Sequence, residues 1–81
     1  MTLPGLVNMA TIILRLNAVE HRTGLSRSAI YGKLKHNPNR PNEFDPTFPK
    51  PIRLGSQAVG WVEAEIEEWL AAQIAKSRQT A

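Results

Sequence analysis

Two glycines, Gly55 and Gly60, enclose four residues in the stretch PIRLGSQAVGWV, which is the glycine spacing of a phosphate-binding P-loop. That loop also requires a lysine and then a serine or threonine after the second glycine, to neutralise phosphate charge and to bind Mg²⁺. Trp61 and Val62 stand there instead, and the four glutamates that follow would repel a triphosphate. The stretch therefore predicts a β-hairpin with a Gly-Ser-Gln turn and not a nucleotide site.

The other side chains that could do chemistry do not form a recognisable catalytic or metal site. His21 and His36 are far apart in the sequence, with no cysteine and no acid at ligand spacing. The glutamates at 63, 65, 67 and 68 begin a predicted helix, where the helix dipole favours acidic side chains. We therefore expect no catalytic residue, no metal, no cofactor and no enzymatic activity.

The charge of the chain points to an anionic partner. The 81 residues suit one domain, contain no cysteine and carry a net charge of +3. Residues 1–60 hold eight Lys/Arg and three acids, whereas residues 61–81 hold two bases and four acids. A basic body of this kind favours an anionic partner. No apolar run approaches the roughly 18 residues that a membrane span needs, so we expect a soluble, cytoplasmic protein without a membrane partner.

A short helix is predicted at residues 18–23 of the basic part. Asn17 followed by Glu20 is typical of an N-terminal capping box, and Gly24 suits the left-handed residue that ends a helix. The preceding TIILRL, residues 11–16, predicts a short strand or a coil anchored in the core.

A second helix follows after a tight turn, with Ser26 as its N-cap and Asn37-Pro38 as its end. Its inner face is apolar, and its outer face and flank carry basic and hydrogen-bonding side chains: Arg27, Ser28, Tyr31 and Lys35. Gly32 beside them is expected to leave the outer face low enough for close approach to the floor of a DNA groove. Two short helices of this kind describe a helix-turn-helix, in which the second helix enters the DNA major groove. The free N–H groups and the positive dipole end at Ser26 favour phosphate.

The hairpin and a third helix complete the predicted domain. The alternation in the hairpin turns Ile52, Leu54, Val59 and Trp61 inward and leaves Arg53, Ser56 and Gln57 outside, as a basic wing. The third helix is predicted at 63–76, with the apolar stripe Val62, Ile66, Trp69, Leu70 and Ile74. Before the hairpin, the proline-rich loop at 37–51 is expected to attach to the body through Phe44 and Phe48.

The predicted fold class is therefore α+β, mostly α: a winged helix-turn-helix with three helices and a two-stranded hairpin. The expected domain organisation is an N-terminal extension at 1–10, a DNA-binding domain at 11–76 and a C-terminal tail at 77–81.

Three blocks, TGLSRSAIY, FPKPIRLGSQAVGW and EIEEWL, occur in an order and spacing that resemble the AlpA family of phage and prophage regulators. The resemblance covers residues 14 to about 74, and this family is similar to the excisionases and the MerR-type winged helices. It implies that Arg27, Ser28, Tyr31 and Lys35 enter the major groove. It also implies that Arg53, Ser56 and Gln57 lie on the DNA backbone or in the minor groove.

Three functions remain open at this point. The first is a sequence-specific double-stranded DNA binder that regulates transcription in a phage or prophage, assembling as a homo-oligomer on DNA. The second is an excisionase that bends attachment-site DNA and has an integrase as its partner. The third is a protein-interaction module, such as a phage assembly adaptor, that docks a partner through the third helix.

Overall fold

The computed structural model describes residues 11–80, and the N-terminal extension predicted at 1–10 lies outside these residues. The elements, in chain order, are β1 (Ile13–Leu14), α1 (Leu16–Thr23), α2 (Arg27–Leu34), a 3₁₀ turn (Pro41–Glu43), β2 (Ile52–Arg53), β3 (Val59–Val62) and α3 (Glu63–Thr80). The predicted class is confirmed, because three helices surround one small antiparallel sheet. Within the described residues, no helix is both long and apolar enough to cross a membrane.

The sheet has three strands in the order β1-β3-β2, one more than the predicted hairpin. In the hairpin, Ile52 pairs with Gly60, and on the other edge of β3, Leu14 pairs with Trp61. The third strand, β1, comes from TIILRL and confirms the strand alternative predicted for these residues. The Ile12 carbonyl also accepts a hydrogen bond of 2.8 Å from the Glu63 amide. The first strand thereby joins the hairpin to the start of α3.

Trp61 lies at the centre of the core and is fully buried. Its indole Nε1 donates to the Pro49 carbonyl at 3.2 Å, so the largest core side chain also holds the proline-rich loop. All three helices, the strands β1 and β3 and this loop contribute to the core, which consists of Leu14, Val19, Ile30, Phe48, Trp61, Ile66 and Trp69.

Two predicted core positions of the hairpin are wrong. Ile52 is 39% exposed and Leu54 is 46% exposed. The strand β2 lies at the sheet edge and ends at Arg53, which leaves Ile52 and the following Leu54 partly open to solvent. The predicted stripe of the third helix also ends early, because Ile74 is 50% exposed.

The helix ends differ from the predictions in ways that the backbone explains. The N-cap of α1 is Arg15 and not the predicted Asn17. Arg15 has an extended backbone between the end of β1 and the start of α1, and its carbonyl accepts a hydrogen bond of 3.0 Å from the Val19 amide. The Gly24 cap is confirmed, with φ of 74°. The helix α2 ends at Leu34, before the predicted Asn37-Pro38, since Lys35 is already extended.

The third helix is longer than predicted. It continues to Thr80, through residues assigned to a C-terminal tail, and basic Arg78 in its last turn suits the negative end of the helix dipole.

The Asp45 carboxylate attaches the proline-rich loop to the rest of the domain. It accepts hydrogen bonds from the Thr47 amide at 2.9 Å, the Thr47 hydroxyl at 2.6 Å and Trp69 Nε1 at 3.1 Å. Burial raises the pKa of Asp45, but these hydrogen bonds and the charge of Lys33 outweigh it, so the net pKa is lowered. Both phenylalanines of the loop contact the body, as predicted: Phe48 is buried edge-on against Trp69, and Phe44, 37% exposed, lies edge-on to His36 just after α2.

Replacing Gly60 by alanine is expected to lower the free energy of unfolding by about 1–3 kcal/mol. A Cβ at this position would overlap Ile13 Cγ2 and stand 3.1 Å from the Leu14 carbonyl oxygen, so β1 and β3 would have to separate. Urea unfolding followed by circular dichroism measures the change. Gly55→Ala is the matched control, because nothing lies within 4 Å of its Cβ and Gly55 has no positive φ. Equal effects of the two substitutions would contradict the close approach at Gly60.

Candidate nucleic-acid interface

The N-terminus of α2 is built by Ser26, as the sequence predicts. Its backbone is extended, and its hydroxyl oxygen accepts a hydrogen bond of 3.1 Å from the Ala29 amide. The Ser26 carbonyl accepts the first intrahelical bond, 3.0 Å from Ile30 N. The amides of Arg27 and Ser28 have no acceptor within the helix, which makes this end suitable for an anionic group.

Arg27, Ser28 and Tyr31 form the exposed face of the first turns of α2. The Arg27 guanidinium carbon lies 5.9 Å from the centre of the Tyr31 ring, within cation–π range. The Tyr31 ring in turn lies edge-on to buried Trp61, with their centres 6.4 Å apart. A rigid core side chain therefore positions the tyrosine, and the tyrosine positions the arginine.

The prediction that Gly32 leaves the outer face of α2 low and open is wrong. The Glu43 side chain lies over it, and a Cβ at position 32 would overlap Glu43 Oε1. Lys35 follows the helix as its exposed C-cap and is therefore not a helical residue. The 3₁₀ turn thus covers the second half of the helix surface that the sequence assigned to DNA.

A notch of about 530 Å³ lies between α2 and the segment that follows it. It brings together four of the predicted site residues with two that sequence reasoning missed, Arg40 and Glu43. A sequence signal for these two residues was present. Arg40 and Glu43 are opposite charges three residues apart with a proline between them, which is typical of a short helical turn. The predicted residues of the notch are Ser28, Tyr31, Gly32 and Lys35.

The predicted wing residues Arg53, Ser56 and Gln57 are exposed together at the end of the hairpin. The loop is closed by the Ala58 carbonyl, which accepts from Leu54 N at 2.7 Å and from Gly55 N at 3.3 Å. None of the three lines the notch beside α2. The structure therefore presents two separate surfaces, the helix face and the wing.

Two other basic side chains of the helix-turn-helix have partners inside the domain. Arg22 of α1 binds Glu63 at 2.6 Å and Glu67 at 2.7 Å, and these bonds raise the pKa of its guanidinium. The Lys33 ammonium lies 5.5 Å from the centre of the Trp69 ring. Arg22 and Lys33 thus help to hold the helices together, and Arg27 and Lys35 remain the basic side chains on the outer surface. Among residues 11–80, no group of three His, Asp or Glu side chains is placed to hold a metal ion.

Two short helices joined at Gly24, followed by a hairpin and a third helix, are consistent with a winged-helix-like fold. Residues 12–74 match the family described as prophage CP4-57 regulatory protein (AlpA), and the chain belongs to this family. The resemblance drawn from the three sequence blocks is thereby confirmed.

Two curated relatives are similar over the same part of the chain. The DNA-binding transcriptional activator AlpA of Escherichia coli (strain K12) is 54% identical over 61 residues, which are 75% of this chain and 83% of the relative. The uncharacterized protein ORF88 of Enterobacteria phage P4 is 36% identical over 62 residues, 76% of this chain and 60% of the relative. No solved structure gives a significant match.

Proposed function

We propose that this protein is a sequence-specific double-stranded DNA-binding regulator of transcription in a phage or prophage. In this proposal α2 enters the major groove and the hairpin wing lies on the DNA backbone or in the minor groove. The similarity to the 54% identical relative, a DNA-binding transcriptional activator of Escherichia coli, supports the function.

One observation carries the proposal: the arrangement of Arg27, Ser28 and Tyr31 on the first turns of α2. These side chains are exposed on one face, beside amides that lack acceptors within the helix. Arginine and hydroxyl groups suit both base edges and phosphates, and the N-terminal residues of a recognition helix are the ones that reach base edges. The contacts from Trp61 to Tyr31 and from Tyr31 to Arg27 connect this face to the core.

The experiment that tests the proposal is gel retardation with duplexes from phage attachment and promoter regions, at low salt. We expect retarded species whose affinity falls steeply with salt, because each neutralised phosphate contributes about −0.9 to the slope of log K against log salt. If no duplex in that pool is retarded at low salt, the proposal is wrong.

Replacing Arg53 of the wing by alanine is expected to weaken binding by a similar factor for all duplexes. A phosphate contact carries no sequence information, so the salt slope should fall by about 1 while the preferred site stays the same. Fluorescence anisotropy over a salt series, with specific and scrambled duplexes, measures both quantities. The control is Arg78→Ala, which removes the same charge from the last turn of α3. A change of preferred site in Arg53→Ala would instead place Arg53 on a base.

We also infer that several copies bind side by side. The helix α2 has eight residues, about two turns, and so reaches only a few base pairs. A regulator needs a longer site for specificity, and neighbouring copies can supply it. Sedimentation of the protein with duplexes of increasing length should show more than one copy per site. One copy on every length of duplex would contradict this inference.

A further inference from the structure

The 3₁₀ turn Pro41–Glu43 places a carboxylate on the outer face of α2. A Cβ at Gly32 would overlap Glu43 Oε1 and would stand 3.4 Å from Glu43 Cβ and 3.5 Å from Glu43 Cδ. Since Gly32 has no side chain, the Glu43 carboxylate occupies the place where a residue of the helix itself would project. The surface of α2 beside Ser28 and Lys35 is therefore completed by a residue from outside the helix.

The backbone that carries this carboxylate is hydrogen-bonded on both sides of Glu43. The Glu43 amide donates to the Arg40 carbonyl at 3.1 Å, and two residues later the Asp45 amide donates to the Lys33 carbonyl of α2 at 3.0 Å. Arg40 lies 3.5 Å from Glu43 Oε2, so the ion pair engages one of the two carboxylate oxygens. The side chain remains 42% exposed, and no hydrogen bond within residues 11–80 uses Oε1.

A carboxylate at this place has a defined role if α2 lies in the major groove. Glutamate accepts a hydrogen bond from the N4 amino group of cytosine, whereas a phosphate would repel it. The positive charges of Arg40 and Lys35 at the same notch reduce the repulsion from the DNA backbone. Base-edge reading is therefore the contact that this geometry permits.

We propose that Glu43 is a specificity-determining residue of the DNA site, which reads a cytosine amino group in the major groove from its place over Gly32. This inference rests on the proposed function, because it requires α2 to be the recognition helix.

The first test selects bound duplexes from a random library with the wild-type protein, Glu43→Gln and Gly32→Ala. Wild type should enrich cytosine at one position. Glu43→Gln should shift that position towards adenine, because a glutamine amide pairs with adenine N6 and N7. Gly32→Ala should relax the same position, because its methyl group displaces the carboxylate. Glu65→Gln, which makes the same change on exposed α3, is the control.

The second test removes the amino group from the DNA. A selected duplex in which 2-pyrimidinone replaces that cytosine lacks N4 and keeps the ring. Wild-type binding should weaken about tenfold, and binding by Glu43→Ala should change less than twofold, since its contact is already lost.

The outcomes separate this inference from the function on which it rests. If the wild-type protein enriches no sequence at all, the proposed function fails and this inference with it. If wild type enriches a site but either Glu43→Gln or Gly32→Ala keeps the same base frequencies, the function stands and the role of Glu43 is wrong. Equal weakening of wild type and Glu43→Ala by 2-pyrimidinone also overturns the role of Glu43.

Discussion

Replacing Trp61 by alanine is expected to lower the free energy of unfolding by about 3–5 kcal/mol, a large part of the stability of a domain of this size. Trp61 is fully buried in β3 and contacts three other parts of the domain. It pairs with Leu14 of β1, donates to the Pro49 carbonyl and packs against Tyr31 of α2. A chain of this length buries only about 60% of its unfolded surface and has little stability to lose.

Circular dichroism during urea unfolding, together with the fluorescence of the remaining Trp69, measures this loss. Ile74→Ala is the control, because the side chain of Ile74 is 50% exposed and its removal should change stability by less than about 0.5 kcal/mol. A Trp61→Ala protein as stable as Ile74→Ala would show that Trp61 is not the centre of the core.

Replacing both Arg27 and Lys35 by alanine is expected to weaken specific DNA binding by about 2–4 kcal/mol, or about 30- to 1,000-fold. Arg27 lies at the N-terminal turn against Tyr31, and Lys35 lies at the other end of the notch. The variant loses a base-edge or phosphate contact at each end of α2. Its salt slope should be smaller by up to about 2, since each lost phosphate contact removes about 0.9.

The control for this variant is the double substitution Lys76→Ala and Arg78→Ala in α3, which removes the same net charge. It should bind DNA with an affinity within about threefold of wild type at 0.15 M salt, where charges beyond about 8 Å are screened. Isothermal titration with one selected duplex compares the two variants. If they lose affinity equally, binding depends on net charge and not on the α2 face.

Local backbone rules were enough to predict the helix-turn-helix from the sequence. The Ser26 cap and the left-handed Gly24 depend on neighbouring residues only, and both are present in the structure. The same holds for the outward direction of Arg27, Ser28 and Tyr31, because helical periodicity determines which side chains share a face.

Tertiary contacts decided the features that the sequence did not reveal. Arg15 caps α1 because the preceding strand β1 pairs with β3, so the backbone is still extended at Arg15. This pairing joins segments that are distant in the sequence. Ile52 is exposed because β2 ends at the sheet edge, which alternation alone does not indicate. Glu43 reaches Gly32 because the loop after α2 folds back, held by the Asp45 to Lys33 hydrogen bond.

The central claim, that α2 and the wing bind DNA, is tested most directly by titrating the labelled protein with a selected duplex and following backbone amide NMR shifts. The largest shifts are expected on residues 26–35 and 53–57. The groove of about 810 Å³ between residues 46–52 and α3, which carries Lys50 and Glu68, should show small shifts. Large shifts along that groove with residues 26–35 unperturbed would contradict the account.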